Sequence, residues 1–141
     1  MGRLDNSGDW HRRAAPSLEE IEALAIEAYA TMPPEFRSLC GEISFIVADF
    51  PEDEVVEEME LESAFDLLGL FEGLPIGAAA TPFTGEIPNR IFLFRRPIID
   101  YWAEHDETLG DIVSHVLIHE IGHHFGLSDE DMEELEARAD L

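Results

Sequence analysis

The chain has 141 residues, of which 45% are hydrophobic, and this length and composition suit one folded domain with a single core. Its 32 acidic residues far outnumber its 8 basic ones, and the net charge of −24 argues against nucleic acid and anionic membranes as partners. Such a field attracts cations and basic peptides, although solubility alone would also account for it. Cys40 is the only cysteine, which excludes an internal disulfide.

The beginning of the chain carries no sign of export. Residues 1–15 are polar and lack the apolar segment of a signal peptide, so they predict a flexible arm ahead of one domain over residues 16–141. No apolar run reaches the length of a membrane span. We therefore expect a cytoplasmic protein that does not enter a membrane, with a monomer as the default assembly.

The first half of the domain predicts helices followed by a strand. Ser17 and Glu20 form the pattern of a capping box at a helix start, and Pro33-Pro34 ends that helix. A short helix over residues 35–39 and a strand over 43–48 follow. Residues 51–62 are dominated by acidic side chains and predict a solvated loop or frayed turn, since they lack the spacing of an EF-hand calcium loop.

The second half predicts two more strands and two helices. Residues 67–71 suit a short strand, 73–88 a mobile loop, and 90–95 a strand that Pro97 ends. Thr108 and Asp111 suggest a capped helix that continues to Phe125. A final helix is predicted over 129–139, with Met132, Leu135 and Ala139 on the face that packs against the rest of the domain. The predicted fold class is α+β, a small mixed or antiparallel sheet packed on two or three helices.

The most informative segment is the HExxH pattern at the end of the long helix. His119 and His123 lie one turn apart on one helix face, so both imidazoles can bind a single ion. Glu120 lies beside them, where it can act as general base on a water that the metal acidifies. The pattern predicts a hydrolytic zinc site with one zinc per chain, and geometry favours zinc over cobalt or manganese.

A third ligand is needed, and the residues after the helix offer several. Gly126 suits a helix stop that lets the chain double back, which brings Asp129 to the right offset. However, Ser128 and Asp131 also resemble a capping box that opens the final helix. Asp129 is therefore the predicted ligand with Glu133 as its main rival, while three other residues stay open as alternatives: Glu130, Asp131 and His124.

The HExxHxxGxxD spacing, with Asp129 as its last residue, resembles the zincin peptidases, and more closely the minimal zincin-like metallopeptidases of bacteria. Residues 68–73 and 88–97 resemble segments upstream of the motif in that family, so the resemblance covers about residues 17–138. No methionine turn is expected, because only twelve residues follow Asp129 and Met132 lies too close to it.

The resemblance implies zinc-dependent hydrolysis of a peptide or protein substrate. It also implies that strand 90–95 lies at a sheet edge above the metal and holds extended substrate, which makes four residues candidates for substrate binding: Ile91, Phe92, Leu93 and Phe94. Two other functions compete with this prediction. One is a catalytically weak, zinc-stabilised peptide-binding module, and the other is hydrolysis of a non-peptide amide.

Several polar residues near these segments have plainer interpretations. His115 is expected to be packed or at the rim of the site, because three histidines at successive helical turns do not close on one ion. His124 is expected at the rim or in the outer shell, because it lies about 100° around the helix from His123. Tyr101 is a weak candidate for stabilising an oxyanion and more often would be a core aromatic. The arginines of the third strand region are expected to pair with the protein's own carboxylates: Arg90, Arg95 and Arg96.

Overall fold

The computed structural model describes residues 11–73 and 89–139. Residues 1–10 of the predicted arm and 74–88 of the predicted loop lie outside the described residues. The elements in chain order are α1 (Leu18–Ala30), α2 (Pro34–Cys40), β1 (Ile43–Ala48), α3 (Asp53–Glu58), a 3-10 turn (Ala64–Asp66), β2 (Gly69–Glu72), β3 (Asn89–Phe94), α4 (Arg95–Glu104), α5 (Leu109–His124) and α6 (Asp129–Ala139). No helix among the described residues has both the length and the apolar character needed to cross a bilayer.

The three strands form a mixed sheet in the order β1-β3-β2. β1 runs parallel to β3, and β2 runs antiparallel to it. One face of this sheet packs against α1 and α5, where alternate strand residues such as Ile91 and Leu93 are fully buried. This arrangement confirms the predicted α+β class and the small mixed sheet.

α5 and α1 hold the core together. Val113, Leu117 and Ile121 of α5 are fully buried, and they share one cluster with Ile21 and Ala25 of α1. Burying an aliphatic side chain of this size contributes about 1.5–3 kcal/mol relative to leaving it exposed. The helix that carries the motif is therefore fixed along its whole apolar face.

The predicted helix boundaries at capped positions are confirmed. Ser17 accepts a hydrogen bond from the Glu20 amide at 3.0 Å while the Glu20 side chain accepts from the Ser17 amide at 2.9 Å. Thr108 accepts from the Asp111 amide at 3.1 Å and begins α5. Each cap satisfies an amide that the helix leaves unpaired, which is why local sequence locates these ends well.

Two local predictions are wrong. Residues 51–62 contain the six-residue helix α3 rather than only a loop, although none of its residues is buried. Pro97 does not end a strand: β3 stops at Phe94, and Pro97 lies in the first turn of the unpredicted helix α4. Proline is tolerated there because the first amides of a helix have no intrahelical acceptor.

The predicted edge position of the third strand is also wrong. β3 is the central strand, and its backbone pairs with β1 on one side and β2 on the other, so it offers no free edge to a peptide. Ile91, Leu93 and Phe94 are buried, while Phe92 alternates to the outer face of the sheet and lines a surface cleft there. Substrate contact by these four residues stays a prediction, but the edge position that implied it is not present.

Candidate metal centre

The polar face of α5 carries the predicted metal-binding histidines. His115 and His119 are one turn apart and their rings stack with centroids 4.0 Å from each other. The His119 and His123 rings meet edge to face at 5.8 Å. Because a helix places every fourth residue above the last, three imidazoles form one column on the solvent side of this helix.

Gly126 ends the motif helix as predicted. Its φ of 75° lies in the left-handed region, which glycine adopts without a steric cost. The Gly126 amide donates to the His123 carbonyl at 3.2 Å, and the Leu127 amide donates to the Gly122 carbonyl at 2.9 Å. This pair of hydrogen bonds is a Schellman motif, and it turns the chain back so that α6 packs against α5.

The second glycine of the motif sets how closely α6 approaches. A Cβ built on Gly122 would lie 2.7 Å from the Met132 Sδ atom, which is closer than two such atoms pack. Met132 is fully buried and Leu135 nearly so, as the amphipathic pattern of α6 predicts. Glu136 follows one turn after Met132 on the same side of α6, so this packing carries its carboxylate to the histidine column.

A carboxylate and two histidines converge at that point. Glu136 Oε1 lies 2.6 Å from His119 Nε2 and 3.0 Å from His115 Nδ1. In the part of the chain that the structure describes, these are the three side chains whose donor atoms all lie within 4.8 Å of one another. Sequence reasoning missed Glu136, although its position one turn after Met132 on the inward side of α6 was a usable signal.

The other predicted ligands do not belong to this group of converging donors. His123 is exposed beside His119, and Asp129 is exposed at the first position of α6. Asp131 caps the same helix, because its carboxylate accepts from the Ser128 amide at 3.3 Å and its own amide donates to the Ser128 hydroxyl at 3.1 Å. Glu133 is exposed. Asp129 therefore stays the predicted third ligand, and it lies outside the converging group.

A cleft of about 250 Å³ opens beside the histidine column. His115, His119, Glu120 and Tyr101 all line it. Burial raises the pKa of the Glu120 carboxyl above its usual range, and the neighbouring His123 offsets part of that increase. A carboxylate with a raised pKa is a stronger base, which suits proton abstraction from water near neutral pH.

Tyr101 and His124 have specific contacts. The Tyr101 hydroxyl donates to Glu107 at 3.3 Å, and the His105 ring stacks on the Tyr101 ring at 3.7 Å. This tyrosine is partly buried against the core, as expected, and it also lines the cleft. His124 packs against Phe71 with ring centroids 4.7 Å apart, which places it on the side of α5 that faces the sheet.

The predicted arginine pairing is confirmed for two residues. Arg90 lies 2.7 Å from Glu72, and Arg95 lies 3.1 Å from Asp49. Both pairs are partly exposed, so each contributes at most about 1 kcal/mol to stability. Neither pair involves a residue that lines the histidine cleft.

The donor set fits a transition-metal ion. Imidazole nitrogens combined with one carboxylate oxygen are the ligands of catalytic zinc sites, and the adjacent cleft leaves room for water and substrate. The fold places these donors on α5 and α6, two helices that are anchored in the core.

The family model for zincin-like metallopeptidases matches residues 40–139, which is most of the chain and includes the whole motif. The chain belongs to this family. The match begins at Cys40, so α1 lies before it although α1 supplies part of the core around α5. No curated protein matches the chain.

Proposed function

We propose that this zincin-like protein is a zinc-dependent peptidase that hydrolyses peptide bonds in the cleft beside His119. The single observation that carries the proposal is the position of Glu120, a half-buried carboxylate that lines the same cleft as His119 and has a raised pKa. The family match supports peptidase chemistry over the binding-module and amide alternatives.

His119, His123 and Asp129, which we call the motif site, are the proposed ligands of the catalytic ion. When bound, zinc supplies Lewis acidity, which makes water easier to deprotonate and polarises a carbonyl. Glu120 then accepts the proton from the attacking water at its carboxylate oxygen and later gives it to the leaving amine. The raised pKa of Glu120 favours both steps, because the group is a competent base and, once protonated, a competent acid.

Substrate binding in this proposal uses β2 rather than β3. Leu68 and Gly69, at the start of β2, line the histidine cleft, and among the described residues β2 pairs with a strand on one side only. A peptide that adds to such an edge gains main-chain hydrogen bonds without sequence preference. Asp66, Glu107 and the net charge of −24 favour peptides with basic residues.

Tyr101 is the proposed donor to the oxyanion that forms as water attacks. Tyr101 lines the same cleft as His119, and its hydroxyl donates to Glu107. A positioned donor of this kind stabilises developing charge that the ground state lacks.

The proposal is tested with Glu120→Gln beside wild-type protein, both loaded with verified zinc and assayed on a library of unfolded and basic peptides. We expect the variant to keep its zinc and its fold, and to lose hydrolysis by a factor of about 10²–10⁴, because only the proton acceptor is removed. Glu104→Gln, at the exposed end of α4, makes the same change of charge outside the cleft and should cleave like wild type. Equal cleavage by Glu120→Gln, or no cleavage by zinc-loaded wild type, contradicts the proposal.

A further inference from the structure

The carboxylate that reaches His119 in the structure is not the one that the motif predicts. Glu136 Oε1 lies 2.6 Å from His119 Nε2, while Asp129 is exposed and outside the converging donor group. His115, one turn before the motif, contributes Nδ1 at 3.0 Å from the same oxygen. Thus His119, a proposed ligand of the motif site, already belongs to a second set of three donors.

We propose that His115, His119 and Glu136 form a second metal site, the Glu136 site, which takes a divalent transition-metal ion in place of the motif site. The proposal rests on the proposed function only in taking zinc as the ion. With His119 Nε2 taken as a ligand of both sites, one chain can fill either site but not both. The ion would thus have two positions along α5, one turn of helix apart.

The chemistry of the three donors supports this site. Two imidazole nitrogens and one carboxylate oxygen are a ligand set that catalytic zinc accepts, with a fourth position left for water. The donor atoms already lie within 4.8 Å of one another, so small side-chain rotations bring all three to bonding distance from a common centre. His115 and His119 also line the cleft with Glu120, so the fourth position can reach solvent.

The packing of the two helices supports it independently. Glu136 reaches the histidines because Gly122 admits Met132 at close range, and both helices are anchored by buried side chains. Side-chain exposure is 27% at His119 and 32% at Glu136, so the pair is partly withdrawn from water. Partial burial strengthens the attraction between a cation and the carboxylate.

A hydrogen bond between the histidines and Glu136 would produce the same contacts without any metal, and substitution separates the two explanations. The motif site is first removed with His123→Ala. That protein should still bind one zinc, with an affinity within about tenfold of wild type, since the three donors of the Glu136 site are intact. Affinity is measured by competition with a chromophoric chelator, so the result does not depend on activity.

The second substitution is then added to His123→Ala. Glu136→Gln keeps the length of the side chain and its capacity to hydrogen-bond but is a poor zinc ligand, and we expect it to lower zinc affinity by more than about 100-fold. His115→Ala should act in the same direction. Glu136→His should restore binding, and Glu27→Gln, an exposed carboxylate on α1, should leave affinity unchanged. Circular dichroism and melting of the metal-free proteins check that each variant is folded.

Every outcome decides the proposal. Zinc bound by His123→Ala and lost on adding Glu136→Gln supports the second site. Loss of zinc in His123→Ala alone overturns it and leaves the motif site and the proposed function standing. Equal zinc affinity with and without Glu136→Gln also overturns it. Absence of peptide cleavage by wild type counts against the proposed function only, because the zinc measurements are independent of cleavage.

Discussion

The two faces of the sixteen-residue helix α5 differ in function: one packs in the core and the other carries the histidines. The inner face consists of side chains that are fully buried against the sheet and α1, such as Val113, Leu117 and Ile121. The outer face carries the histidine column, in which the side chains of His115 and His119 keep 51% and 27% of their exposure. The metal donors are positioned by a rigid helix rather than by burial of their own rings.

This difference implies that stability and metal binding should be separable. Apolar burial on the inner face sets the free energy of unfolding, because it removes the most surface from water. Donor positions on the outer face depend on the helix and on the approach of α6. Substitutions on the two faces should therefore affect different measurements, and a substitution where α5 meets α6 should affect both.

The largest effect on stability is expected from Leu117→Ala on the inner face. The residue is fully buried, so the change removes apolar contacts and leaves a cavity, and we expect the free energy of unfolding to fall by about 2–5 kcal/mol. Zinc affinity of the folded protein should not change. Denaturant unfolding of metal-free protein and chelator competition on the folded protein give the two numbers.

Ile26→Ala is the control for this change. It also removes aliphatic atoms from a helix, but Ile26 is 49% exposed on α1, so we expect a loss of less than about 0.5 kcal/mol. A drop in zinc affinity with Leu117→Ala, measured where the protein is fully folded, would show that the two faces are not independent.

Gly122→Ala tests the contact between α5 and α6 and should have a smaller effect on stability. Alanine favours a helix interior by about 1 kcal/mol over glycine, but its Cβ would overlap the Met132 side chain, at an expected cost of about 1–3 kcal/mol. The expected net result is a loss of stability of about 1 kcal/mol. Zinc affinity should also fall, because α6 must shift and carries Glu136 with it.

Gly110→Ala provides the matched control, since it adds the same methyl group to the first turn of α5 with nothing within 4 Å. That variant should be as stable as wild type or slightly more stable, with unchanged zinc affinity. If Gly122→Ala behaves like Gly110→Ala in both measurements, the approach of α6 does not control the metal centre.

The features that could be predicted from the sequence are the local ones. The capping box at Ser17, the cap at Thr108 and the stop at Gly126 each depend on hydrogen bonds between residues a few positions apart. The HExxH spacing likewise fixes which α5 side chains share a face. These predictions are confirmed because no distant part of the chain is needed to satisfy them.

The features that sequence could not provide depend on how elements meet. The family resemblance implies an edge position for β3, and this is wrong because the order of strands in the sheet is not their order in the chain. The helix α4 was missed because Pro97 suits a strand end as well as the first turn of a helix. Glu136 depends on the packing of α6 over Gly122, which a pattern of acidic residues does not reveal.

The last prediction concerns burial of a titratable group outside the histidine column. Tyr29 packs at the edge of the core, and burial raises its pKa above the usual value of 10.0. This is the same physical cause that raises the pKa of Glu120 in the cleft. Tyr29 therefore tests whether burial stabilises the neutral form of an acid in this protein at a place without the histidines of the outer face.

Tyr29→Phe should first cost about 1 kcal/mol at pH 7, because the variant lacks the 3.3 Å hydrogen bond from the hydroxyl to the Arg37 carbonyl. A pKa that is higher in the folded than in the unfolded protein gives stability that is present below the unfolded value and lost above it. Wild type should thus lose this contribution as pH rises above about 10, whereas the phenylalanine variant has no such group to lose.

The difference in unfolding free energy between the two proteins, measured in denaturant from pH 7 to 11, should shrink with pH. Both proteins are compared in a Cys40→Ala background, because burial raises the pKa of the Cys40 thiol and that thiol interacts with the Tyr29 hydroxyl. The remaining alkaline effects are common to both proteins and cancel in that difference. A difference that stays constant over this range would mean that burial at Tyr29 does not favour its neutral form.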